Sequence, residues 1–198
     1  MDIATTKPAD PWALFADWFA LATQNEPSYP DAMSLATVGE GGMPFVRTVL
    51  MKGFDREGIV FYTNRESRKG HQLLAHPKAG MCFYWKSLQR QVHIEGDVSR
   101  VSDAESDTYF ATRPRASQLG AWASLQSRPL ESRALFEERI AQYDKTYQDQ
   151  AVPRPPHWGG YRLSPSIFEF WQEQLYRWHD RLSYRRNGEA WEIERLYP

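Results

Sequence analysis

Between Met33 and Val101 the sequence sets five short strand-like runs one after another, each bounded by turn or helix signals. Residues 33–38, 45–52, 59–63, 79–85 and 90–101 are rich in β-branched and aromatic side chains. A glycine-rich turn covers residues 39–42, and Asp55-Arg56-Glu57-Gly58 makes another. Residues 67–76 read as a short helix stopped by Pro77. Five strands in such a span predict a meander that closes into a barrel.

Helices and further strands flank this block. Asp10-Pro11 is a helix start, with an acceptor at the cap and proline in the first turn. Leu14, Phe15, Trp18 and Ala22 then recur at helical spacing, and Pro27 and Pro30 close the segment. Ser102-Asp103-Ala104-Glu105 is a capping box whose helix ends near Pro114. Phe136, Ile140, Tyr143 and Tyr147 mark one face of another helix. The prolines of residues 153–156 make a linker. Strands return at 160–163, 167–172, 177–184 and 190–196, the last two joined by the hairpin signal Asn187-Gly188. The expected class is mainly β with peripheral helices (α+β), one antiparallel barrel domain over residues 10–198 behind a flexible tail at 1–9.

Composition narrows the function. Hydrophobic residues make up 41 % of the 198 and aromatics 14 %, enough for a real core. The formal charge is -1, without the basic excess that bulk attachment to nucleic acid or an anionic membrane usually needs. No apolar stretch is long enough to span a bilayer. Any basic function must then be local, which suits a small anionic ligand. The one cysteine, Cys82, excludes an intrachain disulfide and agrees with a reducing cytoplasm. It sits in the run Met81-Cys82-Phe83-Tyr84-Trp85 and reads as inert core packing. The five histidines lack ligand-like spacing, so no metal is expected. Neither a dinucleotide-binding glycine motif nor a P-loop is present.

Four constellations carry possible chemistry. In Tyr62-Thr63-Asn64-Arg65-Glu66-Ser67-Arg68-Lys69 a strand gives way to a helix that starts at a serine followed by two cations. Such a start suits a phosphate, although a solvated basic helix end has the same pattern. On the strand Arg47-Thr48-Val49-Leu50-Met51-Lys52, Arg47 and Lys52 should face opposite ways, so they share a site only through a bulge or by serving different parts of a ligand; by itself the pattern better fits two exposed cations on an edge strand. Tyr109 and Arg113 share a helix face, with Ser117 just past Pro114; they suit a phosphate or simply complement a helix end. In Arg177-Trp178-His179-Asp180-Arg181, read as a strand, Arg177, His179 and Arg181 point one way and Trp178 the other.

In order and spacing these segments resemble the pyridoxamine 5'-phosphate oxidase family over nearly the whole chain, from Asp10 to Pro198. The resemblance is carried by Arg47-Thr48-Val49-Leu50-Met51-Lys52, Phe61-Tyr62-Thr63-Asn64, Ser67-Arg68-Lys69, Arg90-Gln91-Val92, Arg113-Pro114-Arg115, Ser117-Gln118 and Gln126-Ser127. Glu169-Phe170-Trp171-Gln172, Arg177-Trp178-His179-Asp180-Arg181 and Arg195-Leu196-Tyr197-Pro198 complete it. Trp178 stands where leucine is common in the family, and Glu173-Gln174 where a glycine often follows.

The resemblance implies an antiparallel split β-barrel and a homodimer with FMN at each of two subunit-interface sites. It implies that Arg47, Thr48, Val49, Leu50, Met51, Lys52, Tyr62, Thr63, Arg68, Lys69, Gln91, Gln126, Ser127, Trp171 and Arg181 bind FMN. Lys52, Tyr109, Arg113 and Ser117 would hold the substrate phosphate. Arg177 and His179 would lie over the pyridine ring as the catalytic pair. The implied reaction oxidises the 4' carbon of pyridoxamine or pyridoxine 5'-phosphate to the aldehyde, pyridoxal 5'-phosphate. FMN takes the hydride, and oxygen restores FMN with release of hydrogen peroxide, as part of vitamin B6 biosynthesis. Two rival readings stand beside it: a same-fold oxidase of another ring, of the phenazine type, against which the full set Lys52, Arg113 and Ser117 argues, and a non-catalytic FMN- or pyridoxal-phosphate-binding protein.

Overall fold

The structure is a computed structural model, and it describes residues 3–198. Nine strands join in one antiparallel sheet: β1 (Ala32–Val38), β2 (Pro44–Leu50), β3 (Gly53–Asp55), β4 (Gly58–Asn64), β5 (Lys78–Trp85), β6 (Arg90–Arg100), β7 (Trp158–Gln172), β8 (Asp180–Asn187) and β9 (Ala190–Leu196). Their spatial order is β2-β1-β5-β6-β7-β4-β3, with β8 beside β7 and β9 beside β8. The long strand β7 organises the barrel. It pairs along its length with β6, while its first half also pairs with β4 and its second half with β8.

Alternation along the strands sends one set of side chains inward. Met81, Phe83 and Trp85 of β5, Val92 and Ile94 of β6, and Phe168 and Phe170 of β7 are all buried. Helix α1 (Pro11–Asn25), capped by Asp10, lays Leu14, Phe15, Trp18 and Ala22 onto them. Phe15 meets Phe54 edge-on at 5.0 Å and Phe83 at 5.4 Å. Cys82, expected in the core, falls on the opposite face of β5 and is only half buried. Burial, and then the Glu169 charge, push its thiol pKa up, so it is held as an unreactive thiol.

Helices α2 (Arg68–Ala75), α3 (Asp103–Thr112), α4 (Arg115–Ala123) and α5 (Arg133–Thr146) lie outside the sheet. Phe110 of α3, Leu119 of α4, Val152 and Trp158 form a second, smaller core.

The structure corrects the sequence reading in four places. The strands expected at 160–163 and 167–172 are one strand, and Pro165 sits at a register shift where Gly96 faces Pro165 and Glu95 faces Ile167. A bulge takes a proline without loss of the ladder. Helix α4 was not anticipated, because no side chain caps it and Gly120 lies within it. The strand expected at 177–184 begins only at Asp180. Tyr176 and Arg177 have φ of 58° and 64°, left-handed conformations that turn the chain between β7 and β8. Arg177, His179 and Arg181 therefore do not share a strand face. Last, the segment expected as a flexible tail touches the barrel at two points: Ile3 is fully buried in the main core, and the Tyr184 hydroxyl donates to the Pro8 carbonyl at 2.7 Å, while Thr5, Thr6, Lys7 and Ala9 are exposed. Met1 and Asp2 lie outside the described residues.

Candidate active site

Strand β4 ends at Asn64, and the chain turns into α2 with Ser67 as its cap. This turn gathers cations. The buried Lys69 Nζ donates to Thr63 Oγ1 at 3.1 Å, Ser67 Oγ at 3.3 Å and Gln126 Oε1 at 3.2 Å. Arg47 reaches across from β2, donating to Thr37 Oγ1 at 2.6 Å and Gln72 Oε1 at 3.1 Å. Arg68 lies with its guanidinium 4.9 Å from the centre of the Phe45 ring, and its backbone N–H donates to Ser127 Oγ at 3.1 Å.

All the side-chain partners of Arg47 and Lys69 are neutral. Burial, and then the Arg47 charge, bring the Lys69 pKa down to about 8. Burial, and then Arg68, lower that of Arg47. Three cations gathered at one turn, two of them with lowered pKa and without a carboxylate among the side-chain partners of Arg47 and Lys69, fit a dianionic phosphate such as that of FMN. Val49 packs against the core and Met51 is buried in it, so any contact of these two with a cofactor would run through their backbone.

A cavity of about 500 Å³ opens beside this cluster. Lys52, Tyr62, Thr63, Tyr109, Arg113, Ser117 and Gln126 line it together, drawn from β4, α3, α4 and the loops after β2, α3 and α4. Strand β2 ends at Leu50, which frees Lys52 to turn toward the cavity while Arg47 points at α2. The two cations thus serve different regions, one of the arrangements the sequence left open. Lys52 is tethered to Asp31 at 2.8 Å. Arg113 is half buried, lies over the Trp158 ring at 4.7 Å, and keeps a buried Nη1 with no hydrogen-bond partner. An unpaired buried guanidinium N–H is costly, and a ligand anion in the cavity removes that cost.

The wall behind Arg113 is aromatic. Tyr62 stacks on Tyr109 at 4.1 Å and on Trp158 at 5.3 Å, with the rings nearly parallel. Gly160 faces Tyr62 across β4 and β7, and a Cβ there would lie 2.7 Å from the Tyr62 ring. Burial, then Glu105 and Tyr109, push the Tyr62 pKa up to about 12, so it keeps its proton as a donor.

The remaining expected site residues form a second group, with Gln91, Trp171 and Arg181 on the outer face of the sheet and Arg177 and His179 on the loop before β8. Trp171 of β7 faces Gln91 of β6 on one side and Arg181 of β8 on the other. Arg181 Nε donates to Glu169 Oε1 at 2.9 Å, and its Nη1 to the Tyr197 carbonyl at 2.9 Å. The His179 ring lies 4.7 Å from Trp171, and its Nδ1 accepts from the Gln174 N–H at 3.2 Å. In the neutral ring the proton then sits on Nε2. Arg177 projects from the loop into solvent. Gln91, Trp171, Arg177, His179 and Arg181 do not line the cavity of their own protomer.

Sequence reasoning missed four contributors. Trp158 fell between the linker at 153–156 and the strand expected from 160, Asp31 and Gln72 are ordinary polar residues, and Glu169 stood in a quoted motif without a role. Strand alternation alone puts Glu169 on the same face as Trp171.

Residues 21–147 match the family model described as pyridoxamine 5'-phosphate oxidase. The chain belongs to the pyridoxamine 5'-phosphate oxidase family. Residues 158–198 match a second model, the pyridoxine 5'-phosphate oxidase C-terminal dimerisation region. A pyridoxine/pyridoxamine 5'-phosphate oxidase of Rhizobium etli is 54 % identical, covering 98 % of this chain and 95 % of its own. One from Rhodospirillum rubrum is 53 % identical, covering 99 % and 100 %. Among solved structures, PhzG of Burkholderia lata in complex with tetrahydrophenazine-1-carboxylic acid superposes with a TM-score of 0.90 at 32 % identity, over 96 % of this chain and 94 % of that one. An FMN-binding protein of Nostoc punctiforme related to this oxidase family shares the fold, with a TM-score of 0.77 at 20 % identity over 97 % and 100 %. The split barrel of the family is thus the fold seen here.

Proposed function

We propose that this protein is an FMN-dependent oxidase that converts pyridoxine 5'-phosphate and pyridoxamine 5'-phosphate to pyridoxal 5'-phosphate, acting as a homodimer. The observation that carries this is the convergence of Lys52, Tyr109, Arg113 and Ser117 on one cavity beside the separate cation cluster of Arg47, Arg68 and Lys69. Two cationic sites suit two phosphates, one on the cofactor and one on the substrate.

Arg47, Arg68 and Lys69, with Gln126 and Ser127, hold the FMN phosphate. Arg113 supplies its unpaired Nη1 to the substrate phosphate, Lys52 exchanges Asp31 for it, and Tyr109 and Ser117 add hydroxyl donors. FMN held by these residues would supply the redox chemistry, a two-electron oxidation at the substrate 4' carbon with oxygen as the final acceptor and hydrogen peroxide as its reduced product. The alcohol goes directly to the aldehyde. The amine also needs one water and releases ammonia. The protein's own part is position: Arg177 and His179 of the partner subunit orient the pyridine ring from above, with the His179 Nε2–H as a donor.

Residues 10–198 act as one unit, since β7 of the C-terminal region pairs with β4 and β6. The enzyme works in the cytoplasm, where its single half-buried thiol stays reduced. Among the described residues no helix is long and apolar enough to cross a membrane.

Peroxide release is the test. Pyridoxine 5'-phosphate should turn over far faster than unphosphorylated pyridoxine at equal concentration. Equal rates would reject the phosphate site, and no release would reject the oxidase reading.

A further inference from the structure

The loop between β7 and β8 carries a knob that nothing in its own protomer covers. Leu175, Tyr176 and Trp178 are 78 %, 81 % and 73 % exposed. Tyr176 and Arg177 hold left-handed backbone conformations there, a shape that costs energy and has to be fixed by its surroundings. A cluster of apolar side chains this exposed marks a contact surface.

An apolar groove of about 340 Å³ lies between the loop after α4 and the start of α5. Leu125, Leu130, Leu135 and Phe136 form its apolar lining, and the three leucines are 49 %, 55 % and 37 % exposed. The groove is continuous with the substrate cavity, because Ser124, Gln126 and Phe136 line both.

We infer that the knob of each subunit seats in this groove of its partner, with Trp178 and Tyr176 as anchors. The inference rests on the reading that Arg177 and His179 serve the partner's cavity. Trp178 lies between them in sequence, so its Cα stays within about 4 Å of each. If those two residues reach the partner's cavity, Trp178 must come down beside it, and the apolar surface continuous with that cavity is the groove. The loop falls within residues 158–198, the part matched by the dimerisation model. A two-fold axis makes the exchange reciprocal, so two knobs fill two grooves and no apolar surface is left over. The contact also couples assembly to catalysis, because seating the anchors places Arg177 and His179. This gives a role to Trp178, which the sequence placed only on the face opposite Arg177 and His179.

A cross-link decides it. Trp178→Cys and Leu130→Cys are combined with Cys82→Ser in the FMN-loaded full-length protein, oxidised mildly, and run on a non-reducing gel. A covalent dimer that needs both new cysteines is expected. A protein that is dimeric by light scattering yet forms no such cross-link overturns the inference. Independently, Trp178→Asp should weaken the dimer about thirtyfold or more, as loss of an aromatic anchor does. A dimer as tight as the parent overturns the inference as well. Peroxide assays on the parent separate the two readings. Turnover without the cross-link sinks only the docking, and the cross-link without turnover sinks only the oxidase.

Discussion

Lys69 Nζ donates to Thr63 Oγ1 at 3.1 Å in a buried setting where its other partners, Ser67 and Gln126, are also neutral. An ammonium so placed, with Arg47 nearby, loses its proton more easily than one in water, and its pKa falls to about 8. A phosphate dianion reverses this by favouring the charged form.

FMN binding should therefore take up a proton above pH 8. The sign follows: below pH 8 Lys69 is already charged and affinity is flat, while above it affinity falls as pH rises, by at most about tenfold per pH unit. Fluorescence titration of the apoprotein between pH 7 and 9.5 measures this, and Lys69→Met should flatten the curve. A parent protein with the same affinity at pH 7 and 9.5 would refute the phosphate role of Lys69.

Arg113→Ala should damage use of the phosphorylated substrate and leave FMN in place, because Arg113 lines the cavity whereas Arg47, Arg68 and Lys69 do not. A charge-assisted contact contributes about 1.5–3 kcal/mol, or roughly ten- to hundredfold. If it is equally strong in ground and transition states, KM rises and kcat changes little. Steady-state kinetics with both forms of pyridoxine settle it, and equal losses on the two substrates would reject the assignment.

Ile3 supplies a stability test of the N-terminal segment. Its side chain is fully buried in the main core. Ile3→Ala should lower unfolding stability by about 2–5 kcal/mol. Urea denaturation reads this directly, and a change below about 0.5 kcal/mol, as at a typical surface site, would mean the segment is not docked.

Much of this architecture was legible because it is local. Strand alternation in β5 and β6, the Asp10, Ser67 and Ser102 caps, and the Asn187-Gly188 turn each depend on a few adjacent residues. The grouping of Ser67-Arg68-Lys69 at a helix start, and of Tyr109, Arg113 and Ser117 on one cavity around a helix end, was legible for the same reason. What failed was non-local or masked. Arg177-Trp178-His179 has the polarity of an alternating strand, and only the left-handed backbone at Tyr176 and Arg177 shows it to be a loop. The stack of Tyr62 on Tyr109 joins β4 to α3, and no periodicity within either segment encodes it. The separation of the site into two groups follows from β7 pairing with three strands, a property of the whole sheet.

That separation gives the sharpest test of the dimeric site. Arg113 lies in the cavity, whereas Arg177 lies on the β7–β8 loop and does not line the cavity of its own protomer. If each site takes its cavity from one subunit and its loop from the other, Arg113→Ala and Arg177→Ala complement each other. In a mixed dimer one site pairs the damaged cavity with the damaged loop, and the other pairs an intact cavity with an intact loop. Random exchange of equal amounts makes half the dimers mixed, each with one good site of two, so activity should return to roughly a quarter of the parent value. The two variants are unfolded together, refolded with FMN, and assayed for peroxide release against each variant refolded alone. If both residues instead served one cavity within a single protomer, every site in the mixture would carry one defect and nothing would be restored. Activity that stays at the average of the two single variants therefore rejects a site shared between subunits.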